Sequence, residues 1–193
     1  MNITRNLLIA VLMTIATTIL LGLVYPLAMT AIAQAIFPDK ANGQLVMREG
    51  RVIGSRIIGE SFSSPGYFHG RPSAAGTGYD AANSAGTNLG PTSRNLVDAV
   101  KTAVAAAQKE NPSAPVPIDL VTSSASGLDP HLSPAAALFQ APRVAAARHA
   151  SEADVRRLVE AHIEPRQFGF LGEPRVNVLE LNLALDEQWP IRK

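Results

Sequence analysis

Residues 6–38 contain no charged side chain, and no other stretch of the chain looks like this one. The run opens Asn6-Leu7-Leu8-Ile9-Ala10-Val11 and continues through Ile19-Leu20-Leu21-Gly22-Leu23-Val24-Tyr25-Pro26. About 20 apolar residues cross a hydrocarbon core ~30 Å thick. The pattern therefore predicts one transmembrane helix over about residues 7–33, inside an N-terminal segment 1–37. Ala31/Ala33 and Ala33/Ala35 offer A-x-A cleavage sites, but the apolar region of a signal peptide spans only about 7–15 residues. Length favours an uncleaved anchor. Arg5 precedes the run and favours a cytoplasmic N-terminus; a long following domain can be translocated whatever its charge. The expected topology is a single pass, with residues 38–193 forming one domain outside the membrane.

Beyond the anchor the periodicity changes. Residues 44–48 and 51–58 are rich in β-branched and apolar side chains around Glu49-Gly50, which predicts a β-hairpin. Residues 61–91 are rich in Gly, Ser, Pro and Asn and read as a long loop, kept ordered by Phe62, Tyr67, Phe68 and Tyr79. A helix follows over residues 91–110, with Leu96, Val97, Val100, Ala103, Val104 and Ala107 on its apolar face and Asn111-Pro112 as its stop. Residues 116–122 suggest a short strand, and residues 123–131 a polar loop. Ser133-Pro134 is a helix start, with serine as N-cap and proline at N1; Pro142 is expected to interrupt or restart that helix. Ser151-Glu152-Ala153-Asp154 resembles a capping box before Val155, Leu158, Val159 and His162 at helical spacing. Residues 176–185 fit helical spacing better than alternation. The fold class expected is an α+β (mixed α/β) domain preceded by one N-terminal transmembrane helix.

Composition narrows the function. Of 17 Lys and Arg residues only Arg5 precedes the domain, and the rest balance 16 Asp and Glu. A neutral domain argues against nucleic acid as a partner. With no cysteine in the chain, disulfides, thiolate zinc sites and thiol catalysis are excluded.

Candidate chemistry is sparse. Asp129, His131 and Ser133 supply the residue types of a hydrolase triad, but triad members normally converge from separate elements, and no G-x-S-x-G elbow is present. A turn followed by a helix cap explains the same residues. The four histidines, His69, His131, His149 and His162, show no H-x-H or H-E-x-x-H spacing. Gly76-Thr77-Gly78-Tyr79-Asp80 echoes a potassium-channel filter, yet a filter needs several such loops around a pore, so a turn is expected. There is no G-x-x-x-x-G-K-[ST] phosphate loop. One transmembrane helix encloses no polar path. Ala10, Thr14, Thr18 and Gly22 recur every four residues, a small-residue stripe suited to packing against another membrane helix.

Several blocks resemble a known family. Tyr67-Phe68-His69-Gly70-Arg71-Pro72-Ser73-Ala74, Asn88-Leu89-Gly90-Pro91-Thr92 and Ser126-Gly127-Leu128-Asp129-Pro130-His131-Leu132-Ser133-Pro134-Ala135-Ala136 resemble the C subunit of the bacterial potassium-transporting P-type ATPase, the KdpC family. Pro142-Arg143-Val144-Ala145, Leu171-Gly172-Glu173-Pro174-Arg175-Val176-Asn177-Val178-Leu179 and Gly22-Leu23-Val24-Tyr25-Pro26-Leu27 extend the likeness in the family's order. The resemblance implies a non-catalytic accessory subunit of a four-chain, ATP-driven potassium importer in the bacterial inner membrane. Its implied partners are a channel-like potassium-binding subunit, a P-type ATPase subunit and a small fourth subunit, with lipid around the helix. It further implies assembly or stabilisation of the complex, and a catalytic-chaperone role that raises the ATPase subunit's affinity for ATP.

This chain lacks the D-K-T-G-T phosphorylation motif, so its own role is expected to be non-catalytic; the chain alone is expected to hold no cofactor or metal, ATP is implied for the complex, and direct contact of this chain with ATP stays open. From outside the membrane, an effect on cytoplasmic ATP would travel as coupling through the partner subunits. The loop residues Tyr67, Phe68, Arg71, Asn88, Asp129, His131 and Arg143 are candidates for contact with the channel-like subunit or, equally, for ordering the loops. The alternative function is a membrane-tethered extracytoplasmic hydrolase built on Asp129, His131 and Ser133.

Overall fold

The computed structural model describes residues 2–191 and separates into two units, dividing after Leu45. The first unit is dominated by a continuous helix α1, Ile3–Ile36, exposed along almost all its length. At ~1.5 Å per residue its 34 residues reach roughly 50 Å, more than a hydrocarbon core requires. Hydrogen bonding widens to the π pattern over Leu20–Val24, then returns to α at Tyr25–Ile36. The cause is Pro26, which has no N–H and whose ring crowds the carbonyl of the preceding turn; a π turn absorbs that mismatch without breaking the helix. The Thr17 hydroxyl donates to the Met13 carbonyl at 2.8 Å, so its polarity is spent within the helix. A four-residue helix α2, Pro38–Ala41, follows, and Asn42 exchanges side-chain hydrogen bonds with Gln34.

The chain then forms a hairpin of β1, Leu45–Arg48, and β2, Arg51–Ser55. Glu49 and Gly50 both have positive φ, at 52° and 76°, the geometry whose twist matches flanking strands. The second strand stops at Ser55, short of the expected residue 58. The long loop is irregular apart from a 3-10 turn at Ala81–Asn83. Helix α3, Arg94–Glu110, turns Leu96, Val100, Ala103, Val104 and Ala107 partly inward, as its periodicity predicts, while Val97 is exposed.

Residues 116–122 form no strand. A 3-10 turn, Ile118–Leu120, occupies them, and Ile118 is 70% exposed. Pro115 and Pro117 remove the donors a ladder needs. Helix α4, Pro134–Arg148, begins where expected, with Ser133 Oγ accepting the Ala136 N–H at 3.2 Å. It runs straight through Pro142 instead of stopping there. The proline forfeits one helical bond, but Phe139, Ala141, Val144 and Ala145 around it are buried, and burial of such side chains outweighs the loss. Left-handed His149 ends the helix.

Helix α5, Glu152–Ala161, packs back on α4. Ser151 caps it, accepting the Asp154 N–H at 3.1 Å. His162 lies just past the helix rather than within it, its ring bonded to the Leu158 carbonyl. A three-stranded antiparallel sheet then assembles from very short pieces: β3, His131–Leu132; β4, Ile163–Glu164; and central β5, Arg175–Asn177. Leu132 and Ile163 both register with Val176. Residues 176–177, expected in a helix, thus belong to the sheet. Asn177 is the changeover: it ends β5 and caps α6, Val178–Gln188, by accepting the Glu180 N–H. Phe68, Leu132, Val144, Val159, Val176, Leu181 and Leu185 lie at the centre of the core.

Candidate functional site

The candidate loop residues are distributed around that core, and most are tied to it. Phe68 is fully buried. Its N–H donates to Asn182 Oδ1 at 2.8 Å, and its carbonyl accepts from Asn182 Nδ2 at 3.0 Å. Gln140 treats His69 the same way, at 2.9 and 3.0 Å. Two buried amides from α6 and α4 thus pair with the loop backbone as a neighbouring strand would, which satisfies groups that are costly to bury unpaired.

Tyr67 faces a charged cluster. Its hydroxyl donates to Asp186 Oδ2 at 3.0 Å, and the Arg148 guanidinium carbon lies 4.6 Å from its ring centroid. Burial, then the Asp186 contact, raises the Tyr67 phenol above its ordinary pKa. Arg148 has a side chain only 1% exposed and donates to Asp186, the Gly66 carbonyl and the Trp189 carbonyl. Its Nη2 has no hydrogen-bond partner, and the stacking on Tyr67 offsets part of that cost. Arg148 is not among the candidate residues the sequence points to. The available signal was its position in line with Ala137, Ala141 and Val144 on the buried face of α4, where a charge demands a partner. Arg143 fastens the same loop from one turn earlier, donating to Glu110 at 2.8 Å, to Gln140 at 2.6 Å and to the carbonyls of Pro65 and Tyr67.

A second cluster joins Arg71, Asp129 and His131. Arg71 Nη1 donates to Asp129 Oδ2 at 3.1 Å and its other nitrogens reach Thr122 and Ser123. Asp129 Oδ1 accepts the His131 N–H at 3.0 Å, an Asx turn. The His131 ring is held below its ordinary pKa, first by burial and then by Arg175. Gly127 makes the turn possible: its φ is +68°, and a Cβ there would lie 2.6 Å from the Ala85 carbonyl oxygen. Tyr79 braces the neighbouring loop by donating to the Arg71 carbonyl at 2.8 Å; burial, then Asp129, pushes its phenol up to about 12. Residues 76–80 form a tight turn, with Gly76, Gly78 and Tyr79 at positive φ.

The hydrolase arrangement does not form. His131 Nδ1 is 3.8 Å from Asp129 Oδ1, beyond hydrogen-bond length. The Ser133 hydroxyl caps α4, and the Ser133 N–H donates to Asp119 at 2.7 Å. Asn88 stands apart, exposed with φ 52°. Ala10, Thr14, Thr18 and Gly22 lie on the exposed surface of α1, in the separate first unit. Among the described residues, no three His, Asp or Glu side chains cluster closely enough to hold a metal ion.

Comparison with known proteins places these features in one context. The family model described as KdpC, K+-transporting ATPase, c chain, matches residues 7–187. A Koribacter versatilis protein named potassium-transporting ATPase KdpC subunit is 62% identical over 187 residues, covering 97% of each chain. A protein of the same name from Acidobacterium capsulatum is 58% identical, covering 92% of this chain and 96% of its own. Another from Caulobacter vibrioides is 56% identical, over 90% of this chain and 88% of its own.

Proposed function

The chain belongs to the KdpC family of potassium-transporting ATPase subunits, and from that premise we propose that it is a non-catalytic accessory subunit that assembles and stabilises the pump and raises the ATPase subunit's affinity for ATP. The observation that carries this reading is the continuous family match from the apolar helix to the last helix of the domain. The partners are a channel-like potassium-binding subunit, a P-type ATPase subunit and a small fourth subunit. Helix α1 crosses the bacterial inner membrane with its N-terminus in the cytoplasm, and the domain lies outside. Arg5 before the uncharged run supports that orientation. The loops ordered by Arg71, Arg143 and Arg148 present a rigid surface to the channel-like subunit. Their charges are already paired internally, which suits docking better than turnover. The effect on ATP is transmitted through the partners as a coupling free energy.

The test is deletion of this chain from the complex expressed with its other subunits. The expected result is loss of co-purification among the subunits, or a raised ATP requirement for potassium-stimulated ATPase activity. A complex that stays intact with unchanged activity and ATP dependence overturns the proposal.

A further inference from the structure

The connection between β4 and β5 carries the most exposed aromatic side chains of the domain. Phe168 is 86% exposed and Phe170 71%, with Leu171 beside them at 48%. This is an ordered tip. Gln167 and Leu171 exchange both backbone hydrogen bonds at 2.9 Å, Gly169 N–H donates to the Arg166 carbonyl, and Phe168 and Gly169 turn the chain at φ 52° and 80°. The two phenylalanine rings gain little burial from the fold, so folding does not explain them. A stiff turn that holds two phenylalanines in water costs little entropy to dock, the preorganisation that favours binding.

We infer that the Phe168–Gly169–Phe170–Leu171 tip is a docking element that inserts into an apolar pocket on a neighbouring subunit of the pump; the inference rests on the accessory-subunit reading. Charge decides between protein and lipid. The flanking charges are cancelled in place: Arg166 pairs with Glu173 at 2.5 Å, and Arg175 with Glu164 at 2.9 Å. Interfacial membrane anchors add uncancelled cations that seek anionic headgroups. An apolar centre within a self-neutralised polar rim is the anatomy of a protein interface. Area argues against a second copy of this chain. At about 150–250 Å² per aromatic ring, the tip offers on the order of 400–500 Å², below the roughly 800 Å² per partner of a stand-alone complex. It suffices as a second attachment point for a chain already held by its membrane helix, where effective concentration replaces area.

The chain has no cysteine, so Phe168→Cys supplies a unique attachment point for an environment-sensitive fluorophore. Emission is compared for the full chain alone in phosphatidylethanolamine/phosphatidylglycerol nanodiscs and for the assembled complex. The expected result is a blue shift in the complex only. In parallel, Phe168→Ser with Phe170→Ser should fold normally, since neither ring is buried, yet lower retention of this chain in the complex about tenfold or more, as loss of aromatic anchors does. A blue shift in nanodiscs alone that brominated lipid quenches assigns the tip to lipid and overturns the inference. So does a shift that appears with increasing concentration of the chain alone, or an unshifted spectrum in both preparations. A complex that assembles and hydrolyses ATP normally while the tip stays water-exposed fails this inference alone; a chain that never joins the pump fails the proposed function as well.

Discussion

Asn182 holds both backbone polar groups of Phe68, accepting its N–H at 2.8 Å and donating to its carbonyl at 3.0 Å. The two residues are 114 positions apart, so this amide, beside the Tyr67–Asp186 bond, fastens the long loop to the last helix. Asn182→Leu leaves a buried N–H and a buried carbonyl without partners, each costing about 1–3 kcal/mol. The expected outcome is destabilisation of the domain by about 2–6 kcal/mol. The fluorescence of Trp189, the chain's single tryptophan and packed against the core, gives the denaturation midpoint that checks it.

The Arg71–Asp129 pair ties the loop to the segment before β3. Both side chains are partly exposed, so solvent screens the attraction. Arg71→Ala also loses the ties to Thr122 and Ser123. We expect the free energy for opening this loop to fall by about 1–2 kcal/mol, with global stability little changed. Hydrogen exchange should accelerate over residues 119–131 and stay unchanged in α5. Uniform acceleration throughout the domain would refute a local role.

These networks explain what was and was not legible in the sequence. The membrane helix, the Ser133 cap and the α3 face apart from exposed Val97 follow from local pattern, and the structure carries them. Strands β3 and β4 are two residues each; no period exists in two residues, and only pairing with Val176 defines them. The stretch 116–122 misleads because Val116, Ile118 and Val121 have strand propensity while neighbouring prolines deny the ladder. Pro142 misleads in the opposite direction, because tertiary burial decides the helix. Within the candidate site, Arg71 and Asp129 do meet. Arg148 is legible only in part: its place on the buried face of α4 is in the sequence, but its partners at residues 66, 186 and 189 converge only after folding.

Ser133 separates capping from hydrolysis. As an N-cap its replacement by alanine costs about 1 kcal/mol, within a range of ~0.5–2. Ser133→Ala should lower the denaturation midpoint of the full chain accordingly and leave the potassium-stimulated ATPase activity of the complex at its original rate. Ester-hydrolysing activity in the purified chain, abolished by the same substitution, would refute the capping role as its sole function.

Acid should weaken the domain through two histidines. Burial holds His69 below its ordinary value of 6.5; the hydrogen bond that its Nε2 donates to the Ser64 carbonyl at 3.0 Å opposes this, Arg143 adds to it, and Glu110 opposes it in smaller measure. His131 is depressed likewise by burial and Arg175, opposed by Glu164, Asp129 and Glu180. A base whose pKa is lower in the folded state binds fewer protons there than when unfolded, so stability increases with pH across that interval. It should be level above about pH 6.5 and fall as pH drops below the unfolded value. Trp189 unfolding curves between about pH 5 and 8 test this, and His69→Gln should remove part of the slope. A midpoint independent of pH over that range would contradict it.

The membrane helix permits a cleaner test than the domain, because Gly22 is not needed by its own helix. A Cβ at Gly22 would meet only Thr18 Cγ2, at 3.9 Å, an ordinary contact. Its backbone is within the right-handed run, so a side chain adds no strain there. Gly22→Leu should therefore leave helix formation and membrane insertion intact. What it changes is the outer surface shared with Ala10, Thr14 and Thr18, where small residues let a second helix approach closely. Successive positions four apart drift by about 40° around the helix, so the stripe fits a helix crossing at an angle rather than a parallel one. We expect Gly22→Leu, and more strongly Thr18→Leu with Gly22→Leu, to reduce co-purification with the pump's membrane subunits while circular dichroism of the chain in detergent stays unchanged. Leucine at Leu20 or Leu23 replaced by isoleucine, away from the stripe, should leave association as it was. Equal losses at all these positions would mean that packing around the whole helix surface, not the small-residue face, holds the helix in the complex.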